Sequence, residues 1–131
     1  MKKGFVLIEL LLAMGFLVFT LASILAVFAS CLILNEYNRE LTRAVSHAQY
    51  VMEGIKDQDF SNLESNVDAG VWDWTDSDIT NQGLTALTSE TIDTNEIGSD
   101  SSLLDMVVTI NWVSRGNRSR SIILETLITE P

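Results

Sequence analysis

Three aspartates, Asp73, Asp76 and Asp78, lie close together in the sequence, beside Trp72 and Trp74. Calcium takes oxygen ligands, so this group is the first place in the chain where a metal could bind. Its spacing matches no standard calcium-binding loop, and acidic loop segments are in most proteins simply solvated. We therefore predict that the chain needs no cofactor, and we keep calcium at these three residues as a secondary hypothesis.

Nucleophilic catalysis needs a base beside a hydroxyl or thiol, and the chain has one histidine, His47, and one cysteine, Cys31. No cysteine or acidic cluster brackets His47 in the sequence, and Cys31 has no partner for a disulfide. The sequence therefore predicts no catalytic residues and a protein that is not an enzyme. We expect Trp72, Trp74 and Trp112 to pack in the core or against a partner subunit rather than to bind a ligand.

Glu9 is unusual because it precedes 26 consecutive residues without a charge, residues 10–35. A carboxylate at the head of such a run is costly to bury alone. It is therefore either hydrated at an interface or paired with a cation, and the residue type alone leaves both interpretations open.

The uncharged run is long enough to cross a membrane. As a helix it extends about 39 Å, against roughly 30 Å for the hydrocarbon core of a bilayer. Lys2 and Lys3 precede it, and the positive-inside rule places them in the cytoplasm and the rest of the chain outside. A cleaved secretory signal is the alternative, with a site at residues 29–31, but its apolar region would span only about 7–15 residues. We predict a single-pass membrane anchor.

The remainder of the chain is polar and acidic. The formal net charge is −10, with 18 Asp and Glu against 8 Lys and Arg, and no basic side chain occurs in residues 57–105. A surface of this sign repels phosphate backbones, which argues against nucleic acid as a partner. We expect the acidic charge to influence the choice of protein partners more than any catalysis.

Periodicity predicts one continuous helix over residues 5–56. The first half is apolar all round, and the second half is apolar on one side only. The apolar stripe of the second half consists of Leu34, Tyr37, Leu41, Val45, Ala48, Met52 and Ile55. A stripe of this kind needs another element to cover it.

The C-terminal third supplies that element as a hairpin. Alternating apolar residues predict strands at 104–113 and 118–129, joined by a turn at 114–117 in which Gly116 and Asn117 can adopt positive φ. Residues 71–74 are a candidate short strand, and residues 57–102 are otherwise expected to be mostly loop. The predicted fold class is α+β, with a long N-terminal α-helix packed on a small antiparallel β-sheet.

The segment KKGFVLIE at residues 2–9, followed by the long apolar run, resembles the N-terminus of type IV prepilins and type II secretion pseudopilins. The family pattern is a short basic leader, a glycine, a hydrophobic residue that is usually Phe, three more residues and a glutamate. The resemblance implies cleavage between Gly4 and Phe5 by the prepilin peptidase and N-methylation of Phe5. It also implies that Glu9 is needed for assembly, because it docks subunits into the filament.

Electrostatics supports that role of Glu9. Cleavage creates a cationic amine at Phe5 within an apolar helix bundle, where the Glu9 carboxylate of a neighbouring subunit can neutralise it. In a low-dielectric setting such a pair favours one axial register, since any slip leaves both charges unpaired.

Two departures from the family pattern narrow the assignment. Many members have a proline about 22 residues into the mature helix, where this chain has Ala26. Gly15 is therefore the only comparable position at which the helix would be locally destabilised. Common Gram-negative major pilins close a C-terminal loop with a disulfide, which Cys31 alone cannot form. A weaker similarity, at residues 44–63 and in the C-terminal strands, is to V-type minor pilins and I-type pseudopilins.

The resemblance therefore implies a minor type IV pilin that primes or caps a filament. The expected segments are a leader at 1–4, a membrane and filament-core helix at 5–34, its amphipathic continuation at 35–56, and an acidic loop region with a C-terminal sheet at 57–131. The partners would be other pilin or pseudopilin subunits, the prepilin peptidase and the inner-membrane assembly platform. The single-pass precursor would lie in the inner membrane, and the mature subunit would lie in a periplasmic or cell-surface filament.

Three alternatives stay open at this point. The first is a pseudopilin of a type II secretion or DNA-uptake system. The second, of a different class, is an unprocessed bitopic membrane protein with an acidic extracytoplasmic binding domain. The third is an exported binding protein that is cut after the apolar region.

Overall fold

A computed structural model describes residues 3–100 and 103–129; the side chains of residues 3–5, 99 and 100 lie outside this description. The chain divides into two compact units after Asn38. In chain order the elements are helices α1 (Lys3–Lys56) and α2 (Phe60–Asp68), strand β1 (Trp74–Thr75), helix α3 (Asp76–Asn81), and strands β2 (Thr91–Asp100), β3 (Leu103–Ser114) and β4 (Arg118–Thr129). This is the predicted α+β class.

Helix α1 is unbroken over 54 residues, which confirms the continuous helix predicted for residues 5–56. Its first half is rich in Leu, Ala and Phe, and the helix passes through Gly15 and Ala26 without interruption. Lys56 lies in the last turn, where its positive charge interacts favourably with the helix dipole.

In the unit that follows Asn38, α1 buries one face against the sheet. The buried residues of this face are Ala44, His47, Ala48, Val51, Met52 and Ile55. The predicted stripe was therefore right at Ala48, Met52 and Ile55 and wrong at Val45, which is 36% exposed. Ala44 and Val51 also lie three or four residues from Ala48 and Ile55. The sequence is therefore compatible with two overlapping stripes, and the sheet covers the one that contains Ala44 rather than Val45.

The sheet is antiparallel, and its strand order is β1-β2-β3-β4. The predicted C-terminal hairpin is confirmed: β3 pairs with β4 from Ser114 opposite Arg118 to Leu103 opposite Thr129. The turn between them has φ of +82° at Gly116 and +59° at Asn117, as predicted. Alternate residues of β3 point into the core, namely Leu104, Met106, Val108, Ile110 and Trp112.

The expectation that residues 57–102 are mostly loop was wrong. They form α2, β1, α3 and β2, and β2 pairs with β3 along its whole length, with an irregularity between Glu96 and Gly98. The short strand predicted at 71–74 occurs at Trp74–Thr75. Strand β2 has few apolar residues, so its conformation depends on hydrogen bonding to β3 more than on any pattern of its own.

Candidate functional site

Glu9 lies near the start of α1, and its side chain is exposed. The backbone of Gly4 and Phe5 is helical, whereas their side chains lie outside the described residues. Glu9 follows Phe5 by four residues, so both positions lie on one side of the helix, about 6 Å apart along its axis. The predicted cleavage and methylation sites therefore lie one turn before the carboxylate.

The first half of α1 presents apolar side chains all round. From Val6 to Leu34 the large hydrophobic residues are between 52% and 71% exposed. Within the described residues, one helix is long and apolar enough to span a membrane, with a mean hydropathy of 2.6. Soluble proteins rarely expose apolar patches of more than a few hundred Å², so this surface requires lipid or other apolar helices around it. This arrangement is consistent with a single-pass membrane protein.

The hydroxyl groups of this apolar segment are satisfied within the helix. Thr20, Ser23 and Ser30 each donate to a main-chain carbonyl three or four residues earlier, at 2.9 to 3.0 Å. Such local bonds let Ser and Thr enter an apolar environment without a partner from outside. Glu9 is the one charged residue between positions 4 and 35. It is therefore the residue of this segment whose charge needs a partner from elsewhere.

His47 belongs to a buried polar pair that the sequence analysis missed. Its Nδ1 lies 2.7 Å from Oε1 of Glu90, and the two residues are 4% and 1% exposed. The second oxygen of Glu90 accepts the Leu87 N–H at 2.6 Å. The pair therefore connects α1 to the loop before β2. Its partners are 43 positions apart, and no local pattern in the sequence could have joined them.

The three aspartates of the calcium hypothesis have different structural roles. Asp73 Oδ1 accepts the Thr94 N–H at 2.8 Å and the Thr94 hydroxyl at 2.9 Å. Asp78 Oδ2 accepts the N–H and the hydroxyl of Thr75 before α3, and Asp76 is exposed in the first turn of that helix. Among the described residues, no group of three or more His, Cys, Asp or Glu could hold a metal ion. Calcium binding stays an untested hypothesis.

Replacing Asp73 with alanine is expected to lower the free energy of unfolding by about 2 kcal/mol, because two Thr94 donors lose their acceptor. Thr94 is 4% exposed, so its two donors have little contact with water while the carboxylate is in place. Urea unfolding of the full chain in a nonionic detergent, followed by tryptophan fluorescence, measures this change. Asp76→Ala is the matched control, with an expected loss of less than about 0.5 kcal/mol. Equal losses in both variants would contradict the assigned role of Asp73.

The Thr75 hydroxyl, together with the Thr75 N–H, holds the pKa of Asp78 below its usual value of 3.8. These bonds favour the ionised carboxylate, so their stabilisation of α3 is complete above the usual pKa. It is lost as the pH falls through the lower pKa of the folded state. In an NMR titration over pH, we expect the chemical shift of the Thr75 amide proton to change with a midpoint below pH 3.8. The substitution Asp78→Asn should abolish this pH-dependent change. A midpoint above that value would refute the arrangement.

The tryptophans behave largely as expected. Trp72 and Trp112 belong to the core, at 6% and 2% exposure, and the Trp112 Nε1–H donates to Glu40 at 3.2 Å. Trp74 packs against the edge of the core and donates to the carbonyl of Val71 at 3.1 Å. Core packing, one of the two roles expected for the tryptophans, is therefore confirmed for Trp72 and Trp112.

Comparisons with protein-family models, with curated proteins and with solved structures find no match to this chain. The functional argument consequently depends on the residues at the head of α1 and on the apolar surface that follows them.

Proposed function

We propose that this chain is a minor type IV pilin, a filament subunit made as a membrane precursor. It is cut between Gly4 and Phe5, methylated on the new amine of Phe5, and assembled through the first half of α1. One observation carries the proposal: the Gly4, Phe5 and Glu9 spacing occurs at the head of an unbroken helix whose apolar side chains are exposed as far as Leu34.

The exposed apolar surface accounts for the two environments of such a subunit. Lipid surrounds the helix in the precursor, and the helices of other subunits surround it in the filament. Exchanging lipid for other apolar side chains changes the hydrophobic free energy little. Polar interactions therefore determine where a subunit stops along the filament axis.

Glu9 provides the polar interaction. In the processed chain, the Phe5 amine and the Glu9 carboxylate are the charged groups of an otherwise apolar segment. Pairing the Phe5 amine of one subunit with Glu9 of its neighbour satisfies both charges, whereas any other register leaves both unpaired at a cost of several kcal/mol. The pair sets the axial position of each subunit.

The unit after Asn38 remains in the aqueous phase. It carries sixteen acidic and six basic side chains, a formal charge of −10, which favours solubility and influences which subunits bind beside it. As a minor subunit the chain primes or caps the filament, and it meets the prepilin peptidase and the inner-membrane platform before it meets other pilin subunits. The same features fit a pseudopilin of a secretion or DNA-uptake system.

The test is the mass of the mature N-terminus after co-expression with a prepilin peptidase. We expect loss of residues 1–4 and gain of one methyl group. Gly4→Leu, which places a bulky side chain at the bond that is cut, is expected to leave the chain whole. An intact N-terminus in the unaltered chain would favour the bitopic membrane protein, and cleavage near Cys31 would favour the exported protein.

A further inference from the structure

A cleft of about 370 Å³ lies in the unit after Asn38, away from the head of α1. Its lining combines aromatic and acidic side chains, the most prominent being Tyr50, Glu53, Asp57, Trp72 and Trp74. The first three come from the end of α1 and the residue just after it. Trp72 precedes β1, and Trp74 is the first residue of that strand. None of these side chains takes part in the proposed assembly through the apolar helix.

Two aromatic rings form one wall of the cleft. The ring centroids of Tyr50 and Trp74 are 6.1 Å apart, and their planes are inclined by 51°. Tyr50 is 45% exposed, so part of its ring is accessible to a ligand in the cleft. Faces of Tyr and Trp attract cations that lie within about 6 Å of the ring centroid, and Arg and Lys side chains are the usual cations in proteins.

The acidic side chains give the cleft a negative charge. Glu53 and Asp57 are four residues apart, so they lie on the same side of the chain where α1 ends, and both are exposed. No Lys or Arg occurs among the described residues that line the cleft. The charge therefore complements a cationic group in contact with the rings.

Trp72 adds a hydrogen-bond donor to the wall. It is 6% exposed, and its Nε1 forms no hydrogen bond with any described residue. This nitrogen lies 3.6 Å from the position that a Cβ at Gly54 would occupy, and Gly54 also lines the cleft. This nitrogen is not among the buried side-chain atoms of the described residues that lack a partner, so it is accessible to solvent and can donate to an acceptor that enters the cleft.

We propose that this cleft binds a basic residue of another polypeptide. The guanidinium or ammonium group contacts the faces of Tyr50 and Trp74 and pairs with Glu53 and Asp57. The main-chain carbonyl of that residue accepts the Trp72 N–H, which explains why a donor lies beside an acidic site. The net charge of −10 attracts basic partners in general, and the cleft gives that attraction a specific position.

The occupant that we infer is a different protein rather than a second copy of this chain. The unit after Asn38 has a formal charge of −10, so two copies repel each other, whereas a basic partner is attracted. The proposal does not depend on processing at Gly4 or on filament assembly.

The test uses the full chain in a nonionic detergent with ¹⁵N-labelled tryptophan, titrated with N-acetyl-arginine amide. We expect the indole N–H signals of Trp72 and Trp74 to shift with saturation. The signal of Trp112, which does not line the cleft and donates to Glu40, should stay in place as an internal control. N-acetyl-citrulline amide, which has the same shape without the charge, should produce at most weak, unsaturated shifts.

Two double variants test whether binding depends on the acidic residues of the cleft or only on the overall negative charge of the chain. Glu53→Gln with Asp57→Asn is expected to weaken binding of the arginine derivative at least fivefold, whereas Glu64→Gln with Asp68→Asn on α2 should leave it unchanged. Equal binding by both double variants, equal shifts with the citrulline derivative, or no saturable shift would overturn the proposal. Concentration-dependent indole signals without any added compound, abolished by the first double variant, would identify a second copy as the occupant and likewise overturn it.

Discussion

Replacing Glu9 with alanine is expected to reduce incorporation of the chain into filaments at least tenfold, while cleavage before Phe5 proceeds normally. The reason is that, in the proposed filament, the Phe5 amine of the neighbouring subunit would lose its counter-charge within an apolar bundle. An uncompensated buried charge costs about 3–5 kcal/mol, whereas a tenfold loss requires only about 1.4 kcal/mol. Shearing filaments from cells and comparing the filament and membrane fractions by immunoblot measures the effect.

Two control variants test whether the effect comes from the charge of Glu9 and from its position in the apolar segment. Glu9→Asp keeps the charge and is expected to recover part of the incorporation. Glu64→Ala removes an exposed carboxylate from α2, outside the apolar segment, and is expected to change nothing. Normal incorporation of the alanine variant at position 9 would remove Glu9 from the mechanism, even if cleavage occurs as proposed.

Replacing Glu90 with alanine is expected to lower the free energy of unfolding by about 3 kcal/mol, the largest stability effect that we predict. The carboxylate accepts from the Leu87 N–H and lies 2.7 Å from the Nδ1 of His47, so its removal leaves two buried polar groups without a partner. Urea unfolding of the full chain in detergent measures the loss. Glu125→Ala, at an exposed position of β4, is the matched control, with an expected change within about 0.5 kcal/mol.

A double-mutant cycle tests whether His47 and Glu90 act together. If the two side chains stabilise the fold through one another, the loss for the double alanine variant is smaller than the sum of the two single losses by about 1 kcal/mol or more. Additive losses would show that each residue acts alone. Replacing the pair with apolar residues of similar volume, His47→Phe with Glu90→Leu, is expected to recover part of the stability, because a buried polar pair often contributes little more than an apolar pair. The recovery is incomplete because the Leu87 N–H still loses its acceptor.

The parts of the fold that were predictable from the sequence are those with a strong period. Helix α1 shows an apolar run and then a stripe, and β3 and β4 alternate around a turn that contains Gly116. Strand β2 lacks such a signal, since Ile92 and Ile97 are its apolar residues and the rest of it is polar. Helix α2 has Phe60, Leu63 and Val67 at helical spacing, but over nine residues this signal is too short to stand out.

The candidate sites also differ in whether the sequence could predict them. Glu9 was found from the sequence because the residues that define it are contiguous. The pair of His47 with Glu90 and the cleft beside Tyr50 and Trp74 were missed, because each joins positions that only the folded chain brings together. Asp73 was noticed for its charge, and its actual role, as the acceptor for Thr94, depends on where β2 lies.

The strand order has a consequence for how this unit folds. Because every strand pairs with the next one along the chain, no strand has to be inserted between two others that have already paired. The hairpin of β3 and β4 closes a short loop, so we expect it to form early. Contacts that join α1 to later segments, such as Glu40 with Trp112, span 72 residues and should form last. In pulsed hydrogen exchange the hairpin amides should therefore gain protection before the Trp112 indole does.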